Sequence, residues 1–498
     1  MDQLRRNTSM LKLSDKTLAH LPDRVTGFQY DRSMLTAGIL QIGVGNFHRA
    51  HQAWYLHRLF EKEHDLDWAI VGSGVRPFDK AQRQKLAKQD FLTTLIELDP
   101  SGSSAEVIGS MIDYVPVQEN NRALVERMAA PDIRIVMLTV TEGGYFIDPV
   151  SMGFDASHPA IRHDVENPHS PKTAFGAMVE ALRIRRDRGY GPFTGLCCDN
   201  LKGNGAILRQ TVVSLASLID RELAHWIDTE CSFPNSMVDC IVPSTGPKEL
   251  ALAQEFGIDD AVPVTHENFR QWVIEDHFCA GRPDLEKVGV TFTDDVHGYE
   301  DMKIRLLNGG HQVIANVGEI LSLKTIADCM MHPQVGKLFS KITRDEIAAH
   351  VDEVPDMTPN AYIDLIEGRF SNSNIVDTTR RVAFDGSSRH PGFVIPSIHD
   401  ALRTGSSISG LALVEAAWAR MCEGTRENGT TIAPNDPHWE ELQKAAQKAR
   451  VDPLVWLAQT KYYGDLAQNS RFEKAFSFWL KMIWEEGTET AICSYLVD

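Results

Sequence analysis

The sequence predicts an α/β domain followed by a mainly α-helical domain. Three observations carry that expectation. The chain has 498 residues, more than one hydrophobic core usually organises. Its first half alternates short β-rich apolar runs with helical patterns, as α/β domains do. Beyond about Asp294 strand-like runs become scarce and helical periodicity takes over. We therefore expect domains at 1–294 and 295–498, with the mixed stretch Asp294–Glu300 at the boundary and the active site between them.

Taken in order, Gly38–Val44 (GILQIGV) reads as a strand leading into a glycine turn, and Arg49–Lys62 as a helix. Trp68–Val71 (WAIV) reads as a second strand, closed by Gly72-Ser73-Gly74. Ile133–Val140 and Phe193–Cys198 are further apolar runs, and Met237–Val242 is another candidate. Near-continuous apolar strands fit a parallel sheet buried on both faces. In the second half Asp345–Val351, Leu411–Cys422 and Trp439–Lys448 read as helices.

Composition narrows the partners. The formal net charge is −18, which argues against a nucleic acid or an anionic membrane surface, since both need a basic face. No stretch has the roughly 18–20 apolar residues of a spanning helix, and the charged start shows no signal-peptide pattern. The eight cysteines form no C-x-x-C pair, so free thiols in a reducing cytoplasm are expected rather than a disulfide framework. Neither the thiols nor the histidines offer a zinc ligand set with recognisable spacing, so no metal is expected.

The run Ile42-Gly43-Val44-Gly45-Asn46-Phe47-His48 follows a strand and opens a helix. That context suits a Rossmann-type dinucleotide loop: the glycines allow a tight turn and close approach to a pyrophosphate, and the helix start offers free N–H groups. His48 stands where a third glycine is usual, so the loop is expected to be wider, and an ordinary βα turn remains an equal alternative. Asp79, past the second strand, could bind the adenosine ribose and favour NAD. It could equally cap a helix, and Arg76 nearby keeps NADP open.

Alcohol oxidation by hydride transfer needs a base and donors for the developing alkoxide. The stretch Tyr299–His311 (YEDMKIRLLNGGH) is the richest in suitable groups. Asn308 and His311 are one helical turn apart. Lys303 and Asn308, however, lie about 140° apart on an ideal helix, so they converge only if helical regularity breaks. The plain alternative is an amphipathic helix with Leu306 and Leu307 inward and Lys303 solvated.

The motif Lys303-Ile304-x-Leu306-Leu307-Asn308-Gly309-x-His311 closely resembles the signature of the polyol-specific long-chain dehydrogenases. That family includes mannitol, arabinitol and uronate oxidoreductases. The resemblance spans most of the chain, through Ile42–His51, Thr141–Tyr145, Ser170–Thr173, Cys198–Asn200, Phe233–Asn235, Phe292–Val296 and Asp385–Ser388. It implies an NAD-dependent, zinc-independent cytoplasmic enzyme, monomeric like its relatives. The pattern is most similar to members interconverting D-mannitol and D-fructose, with arabinitol or fructuronate as the alternative substrate. The resemblance makes Lys303 the base that takes the C2 hydroxyl proton, and Asn200 with Asn308 the pair of amides holding the substrate oxygen. His311, Arg381 and Arg389 would bind substrate, although some members carry lysine at the position of Arg389. Ile42, Gly43, Val44, Gly45, Asn46, Phe47, Asp79 and Glu142 would lie along the cofactor and Asp239 along the substrate entrance. A nucleotide-sensing protein without chemistry is the rival of a different class; the presence of Lys303, Asn200 and Asn308 argues against it.

Overall fold

Strand β1 (Ala37–Ile42) lies at the centre of a five-stranded parallel sheet with β2 (Ala69–Ser73), β3 (Met111–Tyr114), β4 (Ile135–Leu138) and β5 (Thr194–Cys197). The order is β3-β2-β1-β4-β5, the arrangement of a dinucleotide-binding half-sheet on both sides of a switch point. The computed structural model describes residues 10–148 and 153–497. It divides the chain into two compact units, Met1–His297 and Gly298–Asp498.

In unit 1 successive strand residues point to opposite faces. Leu40, Ile42, Val136 and Leu138 pack with Phe175, Met178 and Leu208, whereas Ile39, Ile135 and Met137 pack with Leu56, Phe60 and Trp272. Double-sided burial is why these strands read as unbroken apolar runs. Two features were not legible in that way. Edge strand β3 has only four residues, two of them partly or well exposed. The antiparallel hairpin Thr93–Asp99/Gly102–Ile108 also lacks a continuous apolar run.

The helix expected at Arg49–Lys62 is corrected to two: Asn46–Ala50, capped by Gly45, and Gln52–Phe60. They break at His51 (φ −119°, ψ −86°). The His51 ring donates through Nε2 to the Gln271 carbonyl at 2.9 Å and stacks on Phe47, contacts that a continuous helix would not deliver.

Unit 2 is helical, and its β-structure among the described residues is confined to isolated bridges. Helix Ser409–Cys422 is buried from Gly410 through Cys422, the mark of a central helix. It packs against Gly309–Leu321 and Ser470–Glu486. The separate helix expected at Asp345–Val351 is instead the tail of Pro333–Ile342, continued through a π-turn at Thr343–Ile347 and a 3-10 turn at Ala348–His350.

Candidate active site

In unit 1 the C-terminal edge of the sheet carries four neighbouring features, one each after β1, β2, β4 and β5. The first is the glycine turn. Gly43 has φ +89°, and a Cβ there would overlap the Thr139 carbonyl, so only glycine fits without strain. Thr139 Oγ1 donates to the Gly43 carbonyl at 2.6 Å, and the Gln41 amide donates to the same oxygen at 2.9 Å. Gly45 is different. It has φ −85°, and a Cβ there would meet nothing within 4 Å. Its backbone therefore faces open space, as a phosphate cradle requires.

The Asn46 and Phe47 side chains serve structure. The Asn46 amide donates to the Pro243 carbonyl and to Thr245 Oγ1, both at 2.9 Å. Phe47 lies on the His51 ring at 4.9 Å between centroids. His48, in the third-glycine position, is wholly buried, and burial pushes its pKa down to about 3. Ile42 and Val44 are buried in the core.

Asp79 is the N3 residue of helix Pro77–Ala87, and its carboxylate accepts the Arg76 backbone N–H at 2.9 Å. It is 6% exposed, and burial raises its pKa. It also fills the space over Gly74, where a Cβ would overlap it. The carboxylate thus sits as the helix cap. Arg76 reaches across to the Val140 carbonyl at 3.2 Å. Glu142 begins the 3-10 turn Glu142–Tyr145, and its side chain lies outside the described structure.

The fourth feature follows β5. Asn200 is exposed at the sheet edge, directly after the buried Asp199. Asp199 was not singled out by its residue type, yet it ties β5 to β4. Its carboxylate accepts the N–H groups of Val140 and Thr141, both at 3.0 Å, and the Tyr145 hydroxyl at 2.6 Å. Its donors lie in the segment after β4, 54 to 59 positions away, which no local pattern signals. Asp239 ends strand Ser236–Asp239, 5% exposed.

In unit 2 the stretch Lys303–Asn308 is a π-turn. The Gly309 N–H reaches back to the Ile304 carbonyl, five residues earlier. The wider turn of an i→i+5 bond brings residues five apart closer in direction than the roughly 140° of an ideal α-helix, so Lys303 and Asn308 lie nearer to one face. Lys303 is 9% exposed, which removes the solvated-lysine alternative. Leu306 and Leu307 anchor the turn in the core, and Arg305 turns to Ser397 and Asp400 at 3.0 and 3.2 Å.

His311 lies one turn further on. Its ring stacks on Phe370 at 4.1 Å, and its Nε2 is 4.0 Å from Asp377. Burial outweighs that carboxylate and lowers the pKa to about 3, so the imidazole is neutral. Nε2 is buried and meets no hydrogen-bond partner among the described residues, a deficit that a ligand hydroxyl would satisfy. Asp377 also takes the Arg381 guanidinium in a two-pronged contact, 2.6 Å on each oxygen. That fixes the direction of an otherwise exposed arginine. The Arg389 guanidinium donates to the Val382 carbonyl beside it. Lys303, Asn308 and His311 thus lie on one continuous helical element, and Arg381 is linked to His311 through Asp377. No group of three or more His, Cys, Asp or Glu among the described residues is placed to hold a metal ion.

Comparison with known proteins follows this division. Residues 37–287 match the mannitol dehydrogenase Rossmann domain, and 295–484 match the mannitol dehydrogenase C-terminal domain. The chain is 53% identical to a mannitol 2-dehydrogenase of Cereibacter sphaeroides over 95% of this chain and 99% of that one. It is 37% identical to one of Aspergillus terreus, over 98% and 99%. Among solved structures it resembles the Pseudomonas fluorescens mannitol 2-dehydrogenase in ternary complex with NAD and D-mannitol. There the TM-score is 0.86 and the identity 39%, covering 98% of this chain and all of the other. It also resembles a D-sorbitol dehydrogenase in substrate-free form, with TM-score 0.90 and identity 34%, over 96% and 100%.

Proposed function

From the premise that this chain belongs to the mannitol dehydrogenase family, we infer that it is an NAD-dependent polyol dehydrogenase interconverting D-mannitol and D-fructose. The observation that carries this reading is its end-to-end likeness to an enzyme solved with NAD and D-mannitol bound.

Gly45 and the first N–H groups of helix Asn46–Ala50 would hold the pyrophosphate of NAD, on the tight turn that Gly43 makes. The open space before Gly45 suits that role. NAD, when bound, accepts the hydride that leaves C2 of the polyol. The protein's own task is the proton and the oxygen. The Lys303 amine takes the C2 hydroxyl proton, and in the reverse direction it returns that proton as the ketone is reduced. The Asn200 and Asn308 amides donate to the substrate oxygen as negative charge gathers there. His311, being neutral, binds a further hydroxyl without adding charge. Arg381 and Arg389 orient the rest of the polyol, and Asp239 lines the entrance. Because Asp377 already fills the Arg381 fork, that arginine is poorly placed to clasp a uronate carboxylate as well. This favours the neutral sugar.

The reading extends to a cytoplasmic, metal-independent monomer at work on a small molecule, with no nucleic acid or membrane partner. None of the eight cysteines is in a disulfide, the net charge is −18, and no helix among the described residues is long and apolar enough to cross a membrane. The test is turnover with D-mannitol, D-arabinitol, D-sorbitol, D-fructose and D-fructuronate, with NAD(H) and NADP(H), in excess chelator. The mannitol–fructose pair with NAD(H) should lead, undiminished by chelation. Faster reduction of fructuronate, or loss of activity in chelator, would overturn the reading.

A further inference from the structure

One buried charge in unit 2 is used by nothing described above. Glu415, on helix Ser409–Cys422, and His390, which opens a π-turn at His390–Val394, are both 0% exposed. Glu415 Oε1 is 2.7 Å from His390 Nδ1. Its other oxygen accepts the Tyr463 hydroxyl at 2.8 Å, and that hydroxyl accepts the Trp456 indole N–H at 2.7 Å. The remaining ring nitrogen of His390 lies 3.0 Å from the Asn316 amide nitrogen. The imidazole stacks on Trp418, 4.3 Å between centroids and 9° from parallel. Every heteroatom of the histidine and the carboxylate is engaged, and the ring is clamped from one face. Such a network is costly to bury, and when satisfied it fixes one geometry.

Its connections say which geometry it fixes. The π-turn that His390 opens packs against the π-turn Lys303–Asn308 and against helix Gly309–Leu321. At that contact backbone meets backbone: a Cβ on Gly309 would stand 3.1 Å from the Phe393 carbonyl oxygen. Asn316, the other partner of His390, lies on helix Gly309–Leu321, which follows Asn308 directly and carries His311. Arg389 immediately precedes His390. The pair therefore grips both the element bearing Lys303 and Asn308 and the one bearing Arg389.

We propose that His390 and Glu415 are positioning residues for the catalytic π-turn. They act through the Phe393–Gly309 backbone contact and through Asn316 to keep the Lys303 amine and the Asn308 amide in register with the reacting C2–O group. This rests on the reading of Lys303 as the base. A pair that merely filled the core would affect stability alone. A pair that sets register affects the hydride-transfer step, because small misplacements of reacting groups slow chemistry steeply.

The test compares wild type with His390→Leu, His390→Asn and Glu415→Gln. The readouts are kcat and KM for mannitol, the primary deuterium isotope effect with mannitol labelled at C2, NADH affinity by fluorescence titration, and Tm. His390→Leu should lower kcat roughly 10- to 100-fold and raise the isotope effect, with NADH affinity unchanged. His390→Asn, whose amide N–H can replace the Nδ1 donor toward Glu415, should recover much of that loss. If His390→Leu does not fold, Glu415→Gln, equal in size, carries the same prediction. Folded variants with wild-type kcat and isotope effect, whatever their Tm, would overturn the proposal. Wild-type turnover in Lys303→Ala would instead bring down the reading beneath it.

Discussion

The glycine turn of unit 1 offers backbone, and the π-turn of unit 2 offers side chains. At the glycine turn Asn46 is spent on the Pro243–Thr245 loop, and Asp79 on capping its own helix. What remains for a ligand is the open backbone at Gly45, since the N–H and carbonyl of Gly43 are both bonded within the fold. At the π-turn a distorted backbone carries Lys303 and Asn308, with His311 one turn further on. The first arrangement is vulnerable to added atoms and the second to removed ones. The lesson is that residue identity matters for different reasons in the two halves of one enzyme, and the contrast can be broken by experiment.

The largest effect belongs to the side-chain half. Lys303→Ala should lower kcat for mannitol about 10²- to 10⁴-fold, the usual worth of a general base, while NADH still binds. The backbone half should show the reverse split. Gly43→Ala forces an L-residue to φ +89° against the Thr139 carbonyl. Left-handed backbone alone costs about 1–2 kcal/mol, so this variant should lose both Tm and NADH affinity. Gly45→Ala adds a Cβ in open space. It should keep Tm and weaken NADH binding about tenfold, the scale of one compromised charge-assisted hydrogen bond. Equal loss of Tm at Gly43 and Gly45 would erase the distinction drawn between them.

Acid should also separate the two units. His48, His57 and His266 in unit 1 are buried, and burial lowers each pKa from 6.5 to about 3. In unit 2 His311 shows the same shift. The folded form refuses protons that the unfolded chain accepts below pH 6.5. The stability these groups contribute is therefore fully present above that pH and is lost as pH falls toward 3. With three such groups against one, hydrogen exchange should show β1 and β4 losing protection at a higher pH than helix Ser409–Cys422. The opposite order would break the comparison. The smallest effect is at the cap: Asp79→Ala should cost about 1 kcal/mol, read from Tm, and leave the preference for NAD over NADP nearly unchanged.

The glycine turn was legible in the sequence because strand, glycine and helix start are contiguous. The parallel sheet was legible because double-sided burial writes itself as apolar runs. The π-turn was not. Lys303 and Asn308 could be grouped only by resemblance, since their five-residue spacing argues against a shared face on a regular helix. The distortion is accompanied by tertiary packing, with the turns at Thr343–Ile347 and His390–Val394 against it. Asp79 was legible as a candidate but ambiguous. Its carboxylate direction depends on the Gly74-Val75-Arg76 turn, and the structure aims it inward. The bonds of Asp199 and of the His390–Glu415 pair were invisible for one reason: their partners lie tens of residues away, where no local pattern reaches.

In the proposed mechanism everything depends on the amine at 303 moving the proton. The direct measurement is the pH dependence of mannitol oxidation in wild type and in Lys303→Ala, followed as NADH formation under saturating NAD. Wild type should rise with pH through one ionisation and level off, and the residual rate of the variant should have lost that ionisation. The same inflection in both enzymes would show that another group takes the proton and would contradict the mechanism.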